Sequence, residues 1–202
     1  MRKIILASQS PRRKELLTAM GVEFTVVPSN FDEQLDDSRS PEVVAIELAV
    51  GKASEVSEKF PEAIVIGSDT IVTINGHQLE KPRDTAEAYE MLELLSGTHN
   101  EVTTSLAVIC KADGTLLTGA DTTKVHFKPY NQQAVKAYVE TGDTVDKAAA
   151  YGIQSGAAPL IDHIEGRYDT VVGLPTLLLS EYLAQLGVTA KTVDLDCPVR
   201  QI

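Results

Sequence analysis

The sequence is poor in cysteine and has no long apolar run, and each shortage excludes a class of protein. Cys110 and Cys197 are the two cysteines among 202 residues, too few and too far apart for a disulfide framework or a cysteine metal site. No eighteen apolar residues follow one another, so we expect no membrane-spanning helix. Four apolar residues follow Arg2 and Lys3, which is too short for a signal-peptide core. We therefore expect a cytoplasmic protein.

Positive charge is also scarce, but it is concentrated near the start of the chain. The formal net charge of −11 argues against a nucleic-acid polymer or an anionic membrane as partner, since both require a broad basic face. Five basic residues nevertheless lie within the first fourteen positions: Arg2, Lys3, Arg12, Arg13 and Lys14. A local basic spot on an acidic protein suits a nucleotide, with magnesium or manganese held by the acidic groups.

Several motifs of nucleotide and hydrolase chemistry are missing. The chain has no Gly-x-x-x-x-Gly-Lys-Ser/Thr loop, no Gly-x-Gly-x-x-Gly and no His-Glu-x-x-His. It has no Gly-x-Ser-x-Gly, the motif of a nucleophile elbow, and Asp69-Thr70-Ile71 lacks the second aspartate of an aspartyl-phosphate phosphatase. No motif in the chain therefore calls for a covalent intermediate.

A strand, a polar turn and a helix start follow one another at the beginning of the chain. Residues 4–7 form an apolar run typical of a buried strand, and Ser10 followed by Pro11 predicts a capped helix start. A helix N-terminus placed at the end of a strand is a common anion site. The basic residues 12–14 lie in the first turn, where the helix dipole disfavours cations. They form either a solvated basic turn paired with surface carboxylates or a polyphosphate clamp.

An aspartate lies within the second informative stretch, residues 63–74. The stretch predicts an apolar central strand, and Asp69 lies where open α/β sheets place their ligands if the neighbouring strands run parallel. The alternative is that Asp69 caps or turns the chain, but residues 71–74 continue the strand. An aspartate between β-branched residues needs a partner, which favours a functional role.

The rest of the chain predicts further strands and helices in alternation. We expect strands at 24–27, 77–80, 102–110, 115–127 and 160–164, and helices at 11–20, 41–60, 84–95, 129–139 and 173–186. Asn75-Gly76 predicts a type I′ hairpin turn, and residues 146–154 predict a compact helix that runs into a turn. The predicted class is α/β, with a mixed twisted sheet flanked by helices. We expect a single domain over residues 1–202. It is left open whether this domain forms two lobes around a central cleft and whether residues 188–202 are a tail.

Six short motifs follow one another along nearly the whole chain. They are SQSPRR at 8–13, GSDT at 67–70, EKP at 80–82, SGTH at 96–99, DKAAAYGIQ at 146–154 and VVGLP at 171–175. In this order they resemble the Maf family of nucleotide pyrophosphatases. The resemblance implies a fold similar to inosine triphosphate pyrophosphatase (Maf/Ham1). It also implies a cytoplasmic enzyme that cleaves a nucleoside triphosphate between the α and β phosphates, using Mg²⁺ or Mn²⁺.

The resemblance also implies roles for individual residues. Asp69 matches the catalytic proton acceptor of the family. Three positions match the subfamily that acts on thymidine and uridine triphosphates: Arg12, Thr70 and Gln154. Phosphate binding is expected at Ser8, Arg13, Lys52 and Lys81, and metal binding at Glu33 and Asp69. Without the resemblance, Lys52 would be an ordinary solvated residue of a helix and Glu33 part of a solvated loop.

Three residues depart from the family pattern, and an alternative function stays open. Ala149 and Ser155 stand where the family usually has glycine, and Thr170 where it often has asparagine. Ala149 matters most, because glycine often marks close backbone approach or a positive φ. The expected activity is removal of dTTP, UTP or modified pyrimidine nucleotides, a house-cleaning role with a link to cell division arrest. The alternative is a nucleotide-binding regulator of septum formation without strong catalysis. The expected partner is a nucleoside triphosphate, and a homodimer stays open.

Overall fold

The computed structural model describes residues 2–32, 38–193 and 195–202, and a mixed sheet forms its centre. Its strands are β1 (Ile4–Leu6), β2 (Thr25–Val26), β3 (Ile64–Ile74), β4 (His77–Gln78), β5 (His99–Cys110), β6 (Thr115–Phe127), β7 (Ile161–Glu165) and β8 (Arg200–Gln201). The strand order is β2-β1-β3-β5-β6-β7-β8, and β4 pairs with β3. β1 runs parallel to β2 and β3, and β7 parallel to β8, whereas the other pairs are antiparallel. The predicted mixed α/β class is confirmed.

Helices cover both faces of the sheet. They are α1 (Pro11–Ala19), α2 (Pro41–Lys59), α3 (Thr85–Leu95), α4 (Gln132–Val139), α5 (Tyr168–Val172) and α6 (Thr176–Gln185). α2 packs on one face, against residues such as Ile5 and Val65. The larger core lies on the other face, where Leu6 and Ile66 meet side chains of α1, α3, α4 and α6. This division follows from the alternation of side chains along a strand, which points Ile5 and Leu6 to opposite faces.

Four helices begin at capping side chains that the sequence makes recognisable. The caps accept hydrogen bonds from backbone N–H groups three residues on: Ser10 in α1, Ser40 in α2, Asp84 in α3 and Asn131 in α4. These bonds satisfy donors that a helix start otherwise leaves unpaired. The predicted starts of these helices agree with the structure to within three residues. Asn75 and Gly76 both have positive φ, 52° and 81°, as a type I′ turn requires.

The predicted helix at residues 146–154 is wrong. The segment contains a single short 3₁₀ turn at Ala148–Ala150, and both Ala149 and Ala150 have φ of +58°. A right-handed helix cannot continue through residues of positive φ. The backbone N–H of Ala149 instead donates to Glu80 O at 3.0 Å, so a contact with a remote segment overrides the helical preference of the alanines.

Smaller differences concern the ends of elements. β5 begins at His99 rather than at residue 102, β2 and β4 are two residues long, and α5 was not predicted. The tail packs onto the body of the protein, since β8 pairs with β7 and Lys191 N donates to Met20 O at 3.0 Å. Among the described helices, none combines the length and apolar character needed to cross a membrane.

Candidate active site

A cleft of about 970 Å³ opens where β1 ends and α1 begins, within the size range of small-molecule sites of about 300–1,000 Å³. β1 pairs with β3 only along Ile64–Ile66, so Asp69, farther along β3, lies just beyond the carboxyl end of β1. Every described candidate residue lines this cleft: Ser8, Arg12, Arg13, Lys52, Asp69, Thr70, Lys81 and Gln154. Glu33, the second predicted metal ligand, lies outside the described residues.

The buried partner of Asp69 is Lys52. Lys52 Nζ donates to Asp69 Oδ1, and the two side chains are 11% and 10% exposed. Lys52 reaches this position because α2 packs unusually close to β3. A Cβ at Gly67 would lie 2.3 Å from Ala49 O, so glycine two residues before Asp69 permits the approach. Isolating either charge by removing the other is costly in a buried pair, by about 3–5 kcal/mol.

The backbone of Asp69 is fixed as well as its side chain. Asp69 N donates to Ser105 Oγ at 3.3 Å, and Ser105 Oγ donates to Ala45 O at 2.6 Å. Ser105 therefore ties β3 to both β5 and α2. Because β3, β5 and α2 are linked in this way, the position of the Asp69 carboxylate in the cleft is fixed relative to all three elements.

Arg13 is anchored by its whole guanidinium group. Its Nε donates to Gly173 O at 2.9 Å, one terminal nitrogen to Ser8 Oγ at 3.3 Å and the other to Thr70 Oγ1 at 3.2 Å. A planar guanidinium held at three points is pre-organised for an anion. The first turn of α1, capped by Ser10, delivers this cation to the cleft although the helix dipole disfavours it there.

The hydroxyl of Thr70 has no proton left for a ligand in this arrangement. Thr104 Oγ1 donates its single proton to Thr170 O at 2.7 Å. The 3.0 Å contact between Thr70 Oγ1 and Thr104 Oγ1 must then be a donation from Thr70. Thr70 Oγ1 accepts from Arg13, so its contacts align the arginine.

The carbonyl that anchors Arg13 is held in place by a turn and a buried carboxylate. Gly173 has φ of +119°, which residues other than glycine rarely adopt. Its oxygen also accepts from Ser68 Oγ at 3.2 Å. The turn is closed by Asp169, which is 2% exposed and whose backbone oxygen accepts from the N–H groups of Gly173 and Leu174 at 3.0 and 3.1 Å.

A cluster of two aspartates and one lysine forms another wall of the cleft. Lys147 Nζ pairs with Asp143 Oδ1 and Asp146 Oδ1, each at 2.7 Å. Burial alone would raise the pKa of Asp143, but hydrogen bonds from Lys147, Ser155 and Tyr138 outweigh it and lower the pKa to about 2. Burial alone would lower the pKa of Lys147, but its bonds to the two carboxylates raise it. The wall is therefore fully ionised near neutral pH.

Three cleft residues keep their polar groups available. The side chains of Arg12, Lys81 and Gln154 form no hydrogen bond or ion pair with any residue in the described ranges. Gln154 and Lys81 are exposed and Arg12 is half-buried. These groups lie in the same cleft as the Lys52–Asp69 pair, as a site for a polyphosphate with an attached base requires.

The fold and the cleft together define an α/β protein with a cation-lined pocket on a mixed sheet. A solved structure of a HAM1 protein from Coxiella burnetii has the same fold, with a TM-score of 0.50, coverage of 92% of this chain and 100% of that chain, and 18% sequence identity. At this identity the likeness shows the fold alone.

The family follows from sequence comparison. A family profile described as Maf-like protein matches residues 3–186. A dTTP/UTP pyrophosphatase of Geotalea uraniireducens is 45% identical over 184 residues, 91% of this chain and 95% of the relative. Proteins of the same name from Bacillus cereus and Symbiobacterium thermophilum are 45% identical over 188 and 187 residues. The chain belongs to the Maf family.

Sequence reasoning missed two positions that shape this cleft. The motif at 171–175 was recognised, but the anchoring of Arg13 by the Gly173 carbonyl was not, because a main-chain acceptor carries no side-chain signal. Asp143 was also missed. Its spacing of four residues from Lys147 resembles a helical ion pair, yet the segment is not helical, so spacing alone carried no reliable signal.

Proposed function

We propose that this chain hydrolyses dTTP and UTP to the nucleoside monophosphate and pyrophosphate. The observation that carries the proposal is the buried Lys52–Asp69 pair at the floor of a cleft that gathers five basic side chains on a protein of net charge −11. The names of the 45% identical relatives support the same reaction and substrates.

Asp69 is proposed as the group that orients and deprotonates the attacking water. Because Lys52 donates to Oδ1 of the carboxylate, we assign the attacking water to the other oxygen. Water attacks the α-phosphorus, the bond from that phosphorus to the bridging oxygen breaks, and pyrophosphate leaves with the bridging oxygen. Catalysis of this type depends on positioning and charge stabilisation, and it needs no covalent intermediate.

The basic residues are proposed to neutralise the polyphosphate. Arg13 supplies a fixed guanidinium, while Arg12 and Lys81 are free to close on the bound ligand. Asp69 fits a Mg²⁺ or Mn²⁺ ion, because these ions commonly bind through one or two carboxylates together with substrate phosphates. Glu33 is proposed as the second such carboxylate. The ion would neutralise charge that develops on the phosphate oxygens.

The base is proposed to be read by Gln154. Its amide offers one acceptor and two donors, which match the adjacent N3–H and carbonyl oxygen of uracil or thymine. Thr70 is proposed to contribute to substrate choice indirectly, by aligning Arg13. We further propose a cytoplasmic protein folded as one domain over residues 1–202, with house-cleaning of nucleotide pools as its role.

The reaction is tested with Asp69→Asn. The variant keeps the shape of the side chain but cannot accept a proton, so we expect it to bind dTTP and lose most turnover. Pyrophosphate release from dTTP and UTP is measured with Mg²⁺ or Mn²⁺, and binding by calorimetry. The exposed Asp113→Asn variant is the matched control and should keep full turnover. Near-full kcat in Asp69→Asn would disprove the assignment, and orthophosphate as product would disprove the reaction. Tight binding by the wild type without turnover would instead indicate a nucleotide-binding regulator.

Base reading is tested with Gln154→Glu. A carboxylate would repel the carbonyl oxygen of the base, so kcat/KM for dTTP and UTP should fall selectively while the weaker turnover of other nucleotides changes little. Rates are compared for uridine, cytidine and guanosine triphosphates. An unchanged preference in Gln154→Glu, or equal wild-type rates on all three, would show that this residue does not read the base.

A further inference from the structure

Three imidazole rings form a ladder across the sheet, on the same face as α2. His99 of β5 is paired directly with His126 of β6, and His126 with His163 of β7. The ring centroids of His99 and His126 are 5.0 Å apart, and those of His126 and His163 4.2 Å apart. α2 covers the other end of this face, around Ala107 and Ile109. The ladder therefore lies at the end of this face away from Ala107 and Ile109.

A carboxylate completes a set of three converging ligand atoms. Glu165 is two residues after His163 on β7, so its side chain points to the same face. Its Oε1 lies 3.4 Å from His126 Nε2 and 3.8 Å from His163 Nε2, and one atom from each of the three residues lies within 4.8 Å of the other two. Four-coordinate zinc with bonds of about 2.1 Å places neighbouring ligand atoms roughly 3.4 Å apart. The two distances to Glu165 Oε1 are close to that spacing.

The surroundings of His126 Nε2 and His163 Nε2 favour metal binding in two different ways. His126 Nε2 is buried, and although Glu165 Oε1 lies 3.4 Å away, the nitrogen forms no hydrogen bond of good geometry with the described residues. His163 Nδ1 lies 2.8 Å from Asp162 Oδ2, a carboxylate contact that fixes ring orientation and leaves Nε2 for an ion. A bound cation would give this buried nitrogen and the Glu165 carboxylate a common partner of better geometry.

The cluster is remote from the cleft. Asp69 is paired with Ser105 of β5, and His99 lies six residues away along that strand, roughly 20 Å at about 3.3 Å per residue. The charged groups around the ladder are mixed in sign: Lys124 is paired with Glu165 and Glu101, and Arg200 with His163. The neighbourhood therefore does not repel a cation outright.

The geometry points to a transition-metal site formed by His126, His163 and Glu165, with water as a further ligand. Two imidazoles and one carboxylate suit Zn²⁺, Co²⁺ or Ni²⁺ rather than Mg²⁺, which prefers oxygen ligands alone. An ion here would cross-link β6 to β7 and hold the C-terminal third of the sheet. The site is separate from the proposed reaction and requires no catalysis.

The test is a titration of chelator-treated full-length protein with Co²⁺, in excess Mg²⁺ to occupy oxygen-donor sites. We expect one equivalent to bind, with a visible absorption spectrum that lacks thiolate charge transfer. His163→Gln and Glu165→Gln should each weaken binding by more than about tenfold, since even losses outside the ligand set cost that much. Zn²⁺ should raise the unfolding midpoint of the wild type and not that of the variants.

His77→Gln is the matched control, because His77 lies exposed on β4 away from the ladder. It should bind Co²⁺ as the wild type does. Far-UV circular dichroism and pyrophosphate release at wild-type levels verify that the ladder variants are folded. Unchanged affinity in His163→Gln and Glu165→Gln would overturn the site, as would a thiolate spectrum abolished by Cys197→Ser. Loss of pyrophosphate release in Asp69→Asn leaves this result unaffected.

Discussion

Asp169→Asn is expected to lower the stability of the protein substantially, although it hardly changes the shape of the side chain. Oδ1 of Asp169 accepts from Arg167 Nε at 2.9 Å and Thr170 N at 3.1 Å. Oδ2 accepts from the other end of the same guanidinium and from Thr176 N, both at 2.9 Å, and from Thr176 Oγ1 at 2.5 Å. The carboxylate thus joins α5 to α6 and closes the turn that carries Gly173.

The magnitude follows from what an amide cannot do. Whichever way the asparagine turns, its NH₂ group faces donors, and at least two hydrogen bonds are lost. Bonds to charged groups contribute about 1.5–3 kcal/mol each. Arg167 is 36% exposed and can be partly re-solvated, so the lower value applies, and the loss is about 3 kcal/mol. For a chain of this size that lowers the unfolding midpoint by roughly 6–12 °C.

The assay is urea unfolding, with thermal unfolding as a second readout. Glu140→Gln is the control, because Glu140 is 64% exposed in a pair with Lys136 and should change stability by less than about 0.5 kcal/mol. The KM for dTTP should rise in Asp169→Asn, since Arg13 loses its fixed anchor. A decrease of less than about 1 kcal/mol in the free energy of unfolding would refute the reasoning.

Two further predictions concern the walls of the cleft. Thr70→Val removes the acceptor of one Arg13 nitrogen, and a hydrogen bond to a charged group contributes at least about 1.5 kcal/mol. We therefore expect kcat/KM for dTTP to fall about tenfold or more and to recover in Thr70→Ser. Equal values in all three proteins would contradict a positioning role. The folded-state pKa of Asp143 is about 2, below the ordinary 3.8, so its ionised form stabilises the protein by about 2 kcal/mol above pH 5. That contribution disappears as the pH falls from about 4 to about 2. The stability difference between wild type and Asp143→Asn, measured by urea unfolding, should therefore be constant near neutral pH and vanish in acid; a difference independent of pH down to 2 would contradict this assignment.

The parts of the structure that could be predicted are those set by local chemistry. Ser10 and Pro11 determine where α1 begins whatever the rest of the chain does. Asp69 was expected to need a partner, because a carboxylate in an apolar strand is costly, and Lys52 is that partner. The strand pattern was also sufficient to predict the mixed sheet, because long apolar runs and alternating runs are typical of strands.

The parts that could not be predicted depend on contacts between distant residues. The positive φ of Ala149 goes with a hydrogen bond to Glu80 O, and no pattern within residues 146–154 contains that information. The histidine ladder required the register of three strands, which periodicity does not specify. α5, at five residues, is too short to produce a periodic signal and is held instead by Asp169.

The hydrogen bond from Arg13 to Gly173 joins residues 160 positions apart. During synthesis this part of the site can therefore form only after Gly173 has been added to the chain. At about 5–20 residues per second, roughly 8–30 seconds separate the emergence of the arginine from that of its anchor. A nascent chain that ends before Gly173 has Lys52, Asp69 and two of the three groups that hold the Arg13 guanidinium, but it lacks the third. The nucleotide that we propose as substrate therefore meets the complete set of contacts around Arg13 only after Gly173 has been synthesised.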